Sequence, residues 1–507
     1  MAPSPQRQPE KAEALGRRTT TGMLWLTAQT VGTKVLTLGQ QIILSYLLVP
    51  EDFGLFGLAM TVLAICNFVV RSGLREILIQ RHRHFRRWVT PVFWMGITLA
   101  AGSGLLMALA APIASIVYDV RNLVPLILLL ALTPLLQALA IPPTVRIQCD
   151  MAFGRLARIG LLAIALQLLV AGFLAAFGLG AFALVLSRLA MQGFRTVAVW
   201  RISKPPIQMR LHIRRWKYLL GDSSRMMGGN AGVTLMNQGD YMMLGVFHAD
   251  SVVGLYYWGF NLSTQSIQLV LANLNNTLTP ALSKLQAEPE RQISGFVRGA
   301  TLASFVGVPL CLLQAAVAEP AVRLVFDSKW YDAIPILQVL SLGMAVRLCT
   351  GASTSLLVAQ GRFGLRMLLS WAEGGTVLAA AAIGANLGAG LAVAICVTAA
   401  ITFAGPLRVY CAVHRDGKGL SSLWRIVALP VAIGLAALAV SLLVQRAATG
   451  ILPTAGWLRD ACRALIGTGA MFAAYAGLAS LYAPNQGREI HHRLKDLVGR
   501  RLRRSLS

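Results

Sequence analysis

Lys34, Thr37 and Gln41 lie three and four residues apart in an otherwise apolar run, a spacing that places them on one helix face. Thr27 and Thr30 extend that face. A later run carries Asn261, Gln265 and Gln268 on the same spacing, continued by Asn275 and Thr279. Such amides and hydroxyls line polar cavities, and they also bridge helices, each bond contributing about 1 kcal/mol or less. Cations recur in comparable runs at Lys34, Arg188, Arg225 and Arg347, and Arg71 follows Asn67 by one turn. Charge inside a bilayer is expensive, so these residues are expected to face protein or a water-filled cavity. An excess of cations there suits a multiply charged anion such as a pyrophosphate. Asp240 and Glu373 are the acids able to take up a proton or Na⁺. Two pairings compete with a binding role: Asp222 with Arg225 at i,i+3, and Glu373 with Arg347 on the preceding span. Lys34 has no acid on its own helix.

The elements that must position these groups follow from composition. The chain has 507 residues, 56% of them apolar and only 13% charged. Soluble domains carry about 25% charged residues, which excludes an ordinary water-soluble enzyme. A net charge of +26 points to nucleic acid only when it forms a basic face on a soluble domain. Here the cations stand between long apolar runs, so the expected partner is a lipid bilayer and no nucleic acid. Counting stretches of about 20 apolar residues gives about fourteen transmembrane helices between residues 22 and 483. The fold class expected is therefore an all-α polytopic membrane protein.

Charge orients the spans. Alternate loops and the two ends carry 34 Lys and Arg, whereas the opposite side carries 6. The positive-inside rule then places both termini in the cytoplasm. Residues 1–21 are polar and basic, and no cleaved signal peptide is expected. The seven cysteines form no CxxC or His/Cys cluster, so neither a metal nor a cofactor is expected. The loops are short and hold no DxD, HExxH, GxSxG or GxxxxGK[ST], so the chain is not expected to be an enzyme.

At an offset of 200 residues, Gly32, Gly39, Leu44, Gly54 and Leu55 meet Gly232, Gly239, Leu244, Gly254 and Leu255. Six spans separate the copies, so the repeat is parallel. The organisation expected is a basic tail 1–21, a six-helix bundle 22–200, a basic linker 201–221, a second six-helix bundle 222–411, a further helix pair 425–483 and a basic tail 484–507. The polar stripes occupy the first, second, seventh and eighth spans, corresponding positions in the two bundles, which implies a shared central cavity.

The run Leu47-Leu48-Val49-Pro50-Glu51-Asp52-Phe53-Gly54-Leu55-Phe56-Gly57-Leu58-Ala59, with Gly73-Leu74 and Ile79-Gln80-Arg81 after it, resembles a hairpin motif of oligosaccharide flippases. These form the polysaccharide transport family within the multidrug/oligosaccharidyl-lipid/polysaccharide exporter superfamily. Asn237-Gln238-Gly239-Asp240-Tyr241 resembles the family's Asn-x-x-Asp-Arg signature, with Tyr241 standing where Arg is common. Gly254-Leu255-Tyr256, Pro280-Ala281-Leu282-Ser283, Lys329-Trp330 and Gln360-Gly361-Arg362 continue the likeness, which covers roughly 20–410.

The resemblance implies two bundles around a cavity lined by helices one, two, seven and eight. It implies alternating access that carries polyprenyl-pyrophosphate-linked oligosaccharide repeat units across the bacterial inner membrane, for exopolysaccharide or lipopolysaccharide O-antigen synthesis. Polysaccharide polymerase and export machinery are the implied partners, and H⁺ or Na⁺ the implied coupling ion. Lys34, Arg71, Arg188, Arg225 and Arg347 would attract the pyrophosphate, Thr37, Gln41, Asn261, Gln265 and Gln268 the glycan, and Asp240 and Glu373 the ion. An ion-coupled drug or metabolite exporter of the same superfamily is the alternative, and would favour an acidic cavity.

Overall fold

The computed structural model of the chain describes residues 29–482 apart from 69, 71–72, 82–83, 210–212, 415–418 and 449–455, and apart from the side chains at 76, 80, 213, 218–227, 269, 272–273 and 276. Among the described residues there are helices and no strands. In chain order they are α1 (29–47), α2 (Pro50–Cys66), α3 (Leu74–Gln80), α4 (Phe85–Val117), α5 (Leu123–Leu130), α6 (Thr133–Cys149), α7 (Phe153–Ala176), α8 (Ala181–Ile202) and α9 (Ile213–Phe247). There follow α10 (Asp250–Ser283), α11 (Pro289–Val325), α12 (Ile334–Gly351), α13 (Ser353–Ala359), α14 (Phe363–Leu387), α15 (Gly390–Val413), α16 (Gly419–Leu423), α17 (Leu429–Ala448) and α18 (Trp457–Tyr482).

The chain is an all-α polytopic membrane protein. Ten helical segments among the described residues are long and apolar enough to cross a bilayer, against the fourteen expected. Outside those ten stand α1, α9 and α10, which carry polar stripes, and α2, whose span places Asn67 and Arg71 after its last residue, Cys66. α2 is also short, at 17 residues.

Contacts divide the chain into two compact units, Met1–Gly254 and Leu255–Ser507. The first unit therefore takes in α9. Each unit runs through the same order of elements. α4 and α11 are long helices with two internal prolines each, Pro91 and Pro112 in one and Pro309 and Pro320 in the other. An interrupted span follows in both, α5–α6 and α12–α13, and then a hairpin, α7–α8 and α14–α15. The first interruption has a local cause: Pro134, in the first turn of α6, has no amide to continue the ladder from α5. The offset between the copies widens from 200 at Gly54 and Gly254 to 210 at Phe153 and Phe363, the first residues of α7 and α14.

In the second unit the core is built from Phe296, Val308, Leu312, Met344, Leu348, Leu356, Val409, Met471 and their neighbours. α17 and α18 pack on α11 there. Gln445 donates to the Ala316 carbonyl at 3.1 Å and Ser441 to that of Gly467 at 2.8 Å. Arg463 of α18 reaches Glu319 of α11 at 3.2 Å.

In the first unit α2 starts at Pro50, whose fixed φ suits a first helical position. The Val49 amide donates to the Asp52 carboxylate at 3.2 Å and satisfies one of the donors left by the helix end. Two turns then meet backbone to backbone. A Cβ on Gly54 would overlap the Asp250 carbonyl, and a Cβ on Gly254 would overlap the Pro50 carbonyl. Positions 50 and 250 are offset by 200, as are 54 and 254, so each copy of the motif presents its glycine to the other's carbonyl.

Replacing Gly54 or Gly254 by Ala inserts a methyl where only backbone could move, so each change should destabilise by about 1–3 kcal/mol. Gly102 of α4 has no atom within 4 Å of its Cβ position, and Gly102→Ala should be neutral or stabilising by up to about 1 kcal/mol. Unfolding midpoints in detergent compare the three directly. The same contact has a pH dependence. Burial and the neighbouring Glu51 charge raise the Asp250 carboxyl above its ordinary value. An acid raised in the folded state favours folding at low pH, and that contribution is lost as pH climbs from about 3.9 through the raised value. Asp250→Asn should therefore gain on the wild type in melting temperature between pH 4 and pH 8. Parallel curves would show that Asp250 does not titrate in that window.

Candidate functional site

Four helices of the first unit, together with Val70, enclose a cavity of about 460 Å³, inside the range of roughly 300–1,000 Å³ usual for ligand sites. α3 begins at Gly73, whose φ of 79° is in the left-handed region that glycine adopts readily. The short helix buries Leu74, Ile77 and Leu78 against Val92 and Met95 of α4 and Val145 of α6. Arg75 is left off that apolar face and lines the cavity. Its Nε donates to Gln148 Oε1 at 3.4 Å. α6 supplies Gln137 and Thr144, seven residues apart and so on one face, with Ala140 and Ile141 between them. α8 supplies Gln192 and Arg195, and α9 supplies Asn230.

Among the described residues, two guanidinium groups and four neutral polar side chains thus line one cavity, and no carboxylate does. The charges of Arg75 and Arg195 act on each other. Arginine keeps its charge in proteins and presents a planar fork of donors that fits phosphate or carboxylate oxygens. Behind Gln137, Asn67 donates to its Oε1 at 3.1 Å. Asn67 is 2% exposed, and its Oδ1 has no hydrogen-bond partner among the described residues. Chemically the cavity is an anion site with amide and hydroxyl groups around it.

The residues expected from the sequence are distributed otherwise. Arg71 and the side chain of Arg225 lie outside the described residues, and none of the other ten lines this cavity. In the first unit Lys34 is half-buried on α1, where the Thr37 hydroxyl donates to the Thr33 carbonyl at 2.7 Å and Gln41 is buried. Arg188 is half-buried on α8. Asp240 of α9 is 1% exposed, and its carboxylate accepts from the Tyr241 amide at 3.0 Å. In the second unit Asn261 of α10 donates to the Tyr257 carbonyl at 2.8 Å, Gln265 is half-buried and Gln268 exposed. Arg347 is half-buried on α12. Glu373 of α14 takes Arg408 of α15 at 2.8 Å, and Arg408 also donates to the Ser370 hydroxyl at 3.1 Å. Both charged side chains are deeply buried, at 5% and 7% exposed.

Arg195 and Arg408 were therefore missed by the sequence reading, and a signal for them exists. Of the 46 Lys and Arg, 40 fall in loops or the two ends. The rest are Lys34, Arg188, Arg195, Arg225, Arg347 and Arg408, so subtraction alone marks Arg195 and Arg408. Arg188, Gln192 and Arg195 are also spaced four and three apart, on one face of α8.

The sequence profile of a family described as "Polysaccharide biosynthesis protein" matches residues 43–335. The chain is 23% identical over 355 residues to the teichuronic acid biosynthesis protein TuaB of Bacillus subtilis, covering 67% of this chain and 71% of that one. It is 23% identical over 318 residues to the succinoglycan biosynthesis transport protein ExoT of Rhizobium meliloti, covering 62% and 64%. Its fold is similar to that of the lipid II flippase MurJ in an inward closed conformation, with a TM-score of 0.71 over 91% of this chain and 99% of that one, at 12% identity.

Removing one of two like charges relieves repulsion, so Arg75→Gln or Arg195→Gln should leave the melting temperature unchanged or raised. Arg408→Leu should do the opposite, because it strands the buried Glu373 carboxylate, and a loss of about 3–5 kcal/mol is expected. Thermal unfolding of the three purified variants separates a ligand site from a structural pair.

Proposed function

The chain belongs to the polysaccharide biosynthesis protein family, and on that premise we propose that it is a flippase for polyprenyl-pyrophosphate-linked oligosaccharide repeat units. It would carry them from the cytoplasmic to the outer leaflet of the bacterial inner membrane, by alternating access. The observation that carries this reading is the cavity lined by Arg75 and Arg195, whose wall holds no carboxylate among the described residues. A pyrophosphate bears the compact multiple negative charge that two forked guanidiniums neutralise. Gln137, Thr144, Gln192 and Asn230 are hydrogen-bonding groups of the type that engage sugar hydroxyls. A cationic small-molecule drug has no counter-charge in such a wall, which disfavours the exporter alternative.

Within this proposal Lys34, Arg71, Arg188 and Arg225 add positive charge in the first half of the chain, and Arg347 adds it in the second. Thr37, Gln41, Asn261, Gln265 and Gln268 would serve the glycan as it passes. Asp240 and Glu373 are the acids through which H⁺ or Na⁺ would act. Glu373 would do so by giving up its ion pair with Arg408, so coupling there would free a buried arginine. A polymerase and export machinery would consume the flipped product.

Proteoliposomes loaded with a fluorescent polyprenyl-pyrophosphate oligosaccharide provide the test, with an impermeant quencher reporting the outer leaflet and an ion gradient imposed or absent. The wild type should equilibrate the lipid between leaflets. Lys34→Ala and the pair Arg75→Gln/Arg195→Gln should slow transfer more than tenfold while inserting normally. Wild-type transfer in the double variant would remove the cavity from the pyrophosphate path. No transfer in any protein, together with efflux of small cations, would sink the flippase reading.

A further inference from the structure

A second basic pocket, of about 180 Å³, lies in the first unit where the ends of α6, α7 and α8 converge. Arg146, Arg155 and Lys204 line it against one acid, Asp150. Among the described residues no side-chain hydrogen bond or ion pair engages any of the three cations. Ser203, also in the lining, is 8% exposed, and its hydroxyl has no hydrogen-bond partner among the described residues. α7 opens at the same place without a side-chain cap, so the free amides of its first turn add positive potential. The turn into α7 holds Met151 at a φ of 56°, a conformation an L side chain seldom adopts.

What lies below the pocket decides the ligand. Arg155, Arg158, Leu162, Leu169 and Phe173 follow one another at intervals of three, four, seven and four, hence along one face of α7, and all are exposed. From Leu162 to Phe173 the helix rises roughly 16 Å, about the depth of one leaflet of a bilayer whose hydrocarbon core is about 30 Å thick. A cationic end followed by an exposed apolar track of leaflet depth matches a phosphate group on acyl chains. Free phosphate would have no use for the track.

From this geometry we infer a binding site for an anionic phospholipid of the bilayer. Arg146, Arg155 and Lys204 grip the headgroup phosphate, the Ser203 hydroxyl and the first amides of α7 complete its ligands, and the chains lie along Leu162, Leu169 and Phe173. The site is separate from the Arg75–Arg195 cavity and does not depend on what that cavity carries. Arg75 bonds Gln148 of α6, two residues after Arg146, so the two pockets are neighbours along that helix.

Native mass spectrometry of the purified full-length protein tests this, with phosphatidylglycerol, phosphatidylcholine, polyprenyl pyrophosphate and inorganic phosphate as probes. Phosphatidylglycerol should be retained at least tenfold better than phosphatidylcholine. Arg155→Gln/Lys204→Gln should lose at least tenfold of that retention, while Arg155→Lys keeps most of it. Lys284→Gln/Arg291→Gln removes the same charge elsewhere and should bind as the wild type does. An equal loss in that control would reduce the effect to net charge and overturn the site. Competition by millimolar inorganic phosphate would overturn the lipid assignment, as would retention of polyprenyl pyrophosphate without phosphatidylglycerol. The exchanged side chains are exposed, and an unchanged melting temperature in each variant shows that binding rather than folding is measured.

Discussion

A charge removed from water has to be matched by an opposite charge or given room for a ligand or solvent. The positions of Arg408 and Arg195 follow from that constraint. Arg408 is matched: Glu373 and Ser370 accept from its two terminal nitrogens in the wall between α14 and α15. Arg195 is given room, in a cavity whose other charged wall residue among the described ones is also an arginine. The first arrangement rigidifies a helix pair, and the second costs stability unless an anion arrives. One kind of side chain thus serves as a rivet in the second unit and, under the proposed function, as a receptor in the first.

Much of this was legible in the sequence because a bilayer leaves few choices. Backbone groups must bond within their own segment, so apolar runs become helices, and the all-α fold follows. The 200-residue match was legible as well, and its two glycines prove to touch each other's motif. The exact number of spans was less so, since α1, α9 and α10 mix polar side chains into their runs and α2 is only 17 residues long, so all four fall outside the apolar count. The interruption of the fourth span was also hidden, because Pro134 sits inside a run whose hydropathy does not change across it.

The site was legible in kind but not in place. Cations and amides inside helices signalled a polar cavity, yet counting Arg75 with its loop concealed that a seven-residue amphipathic helix would turn it inward. Arg195 lies near the end of its span, where a charge looks like an anchor. Only the packing of α3 against α4 and α6 brings it opposite Arg75. For Glu373 the sequence reading offered Arg347, on the preceding span, and did not weigh Arg408, on the following one. Arg408 takes the pair because α14 and α15 form a hairpin, whose depth brings positions 35 residues apart together.

The meeting of Gly54 with Gly254 carries a consequence for how the chain can change. Where two side chains touch, enlarging one is offset by trimming the other. Here neither partner has anything to trim, because each methyl would strike a main-chain carbonyl of the opposite copy. A lesion at either glycine therefore has no reciprocal suppressor in the motif itself. Relief has to come from residues that set how far apart α2 and the start of α10 run, so the two copies of the motif are bound to keep the same letter even as the sequences around them drift.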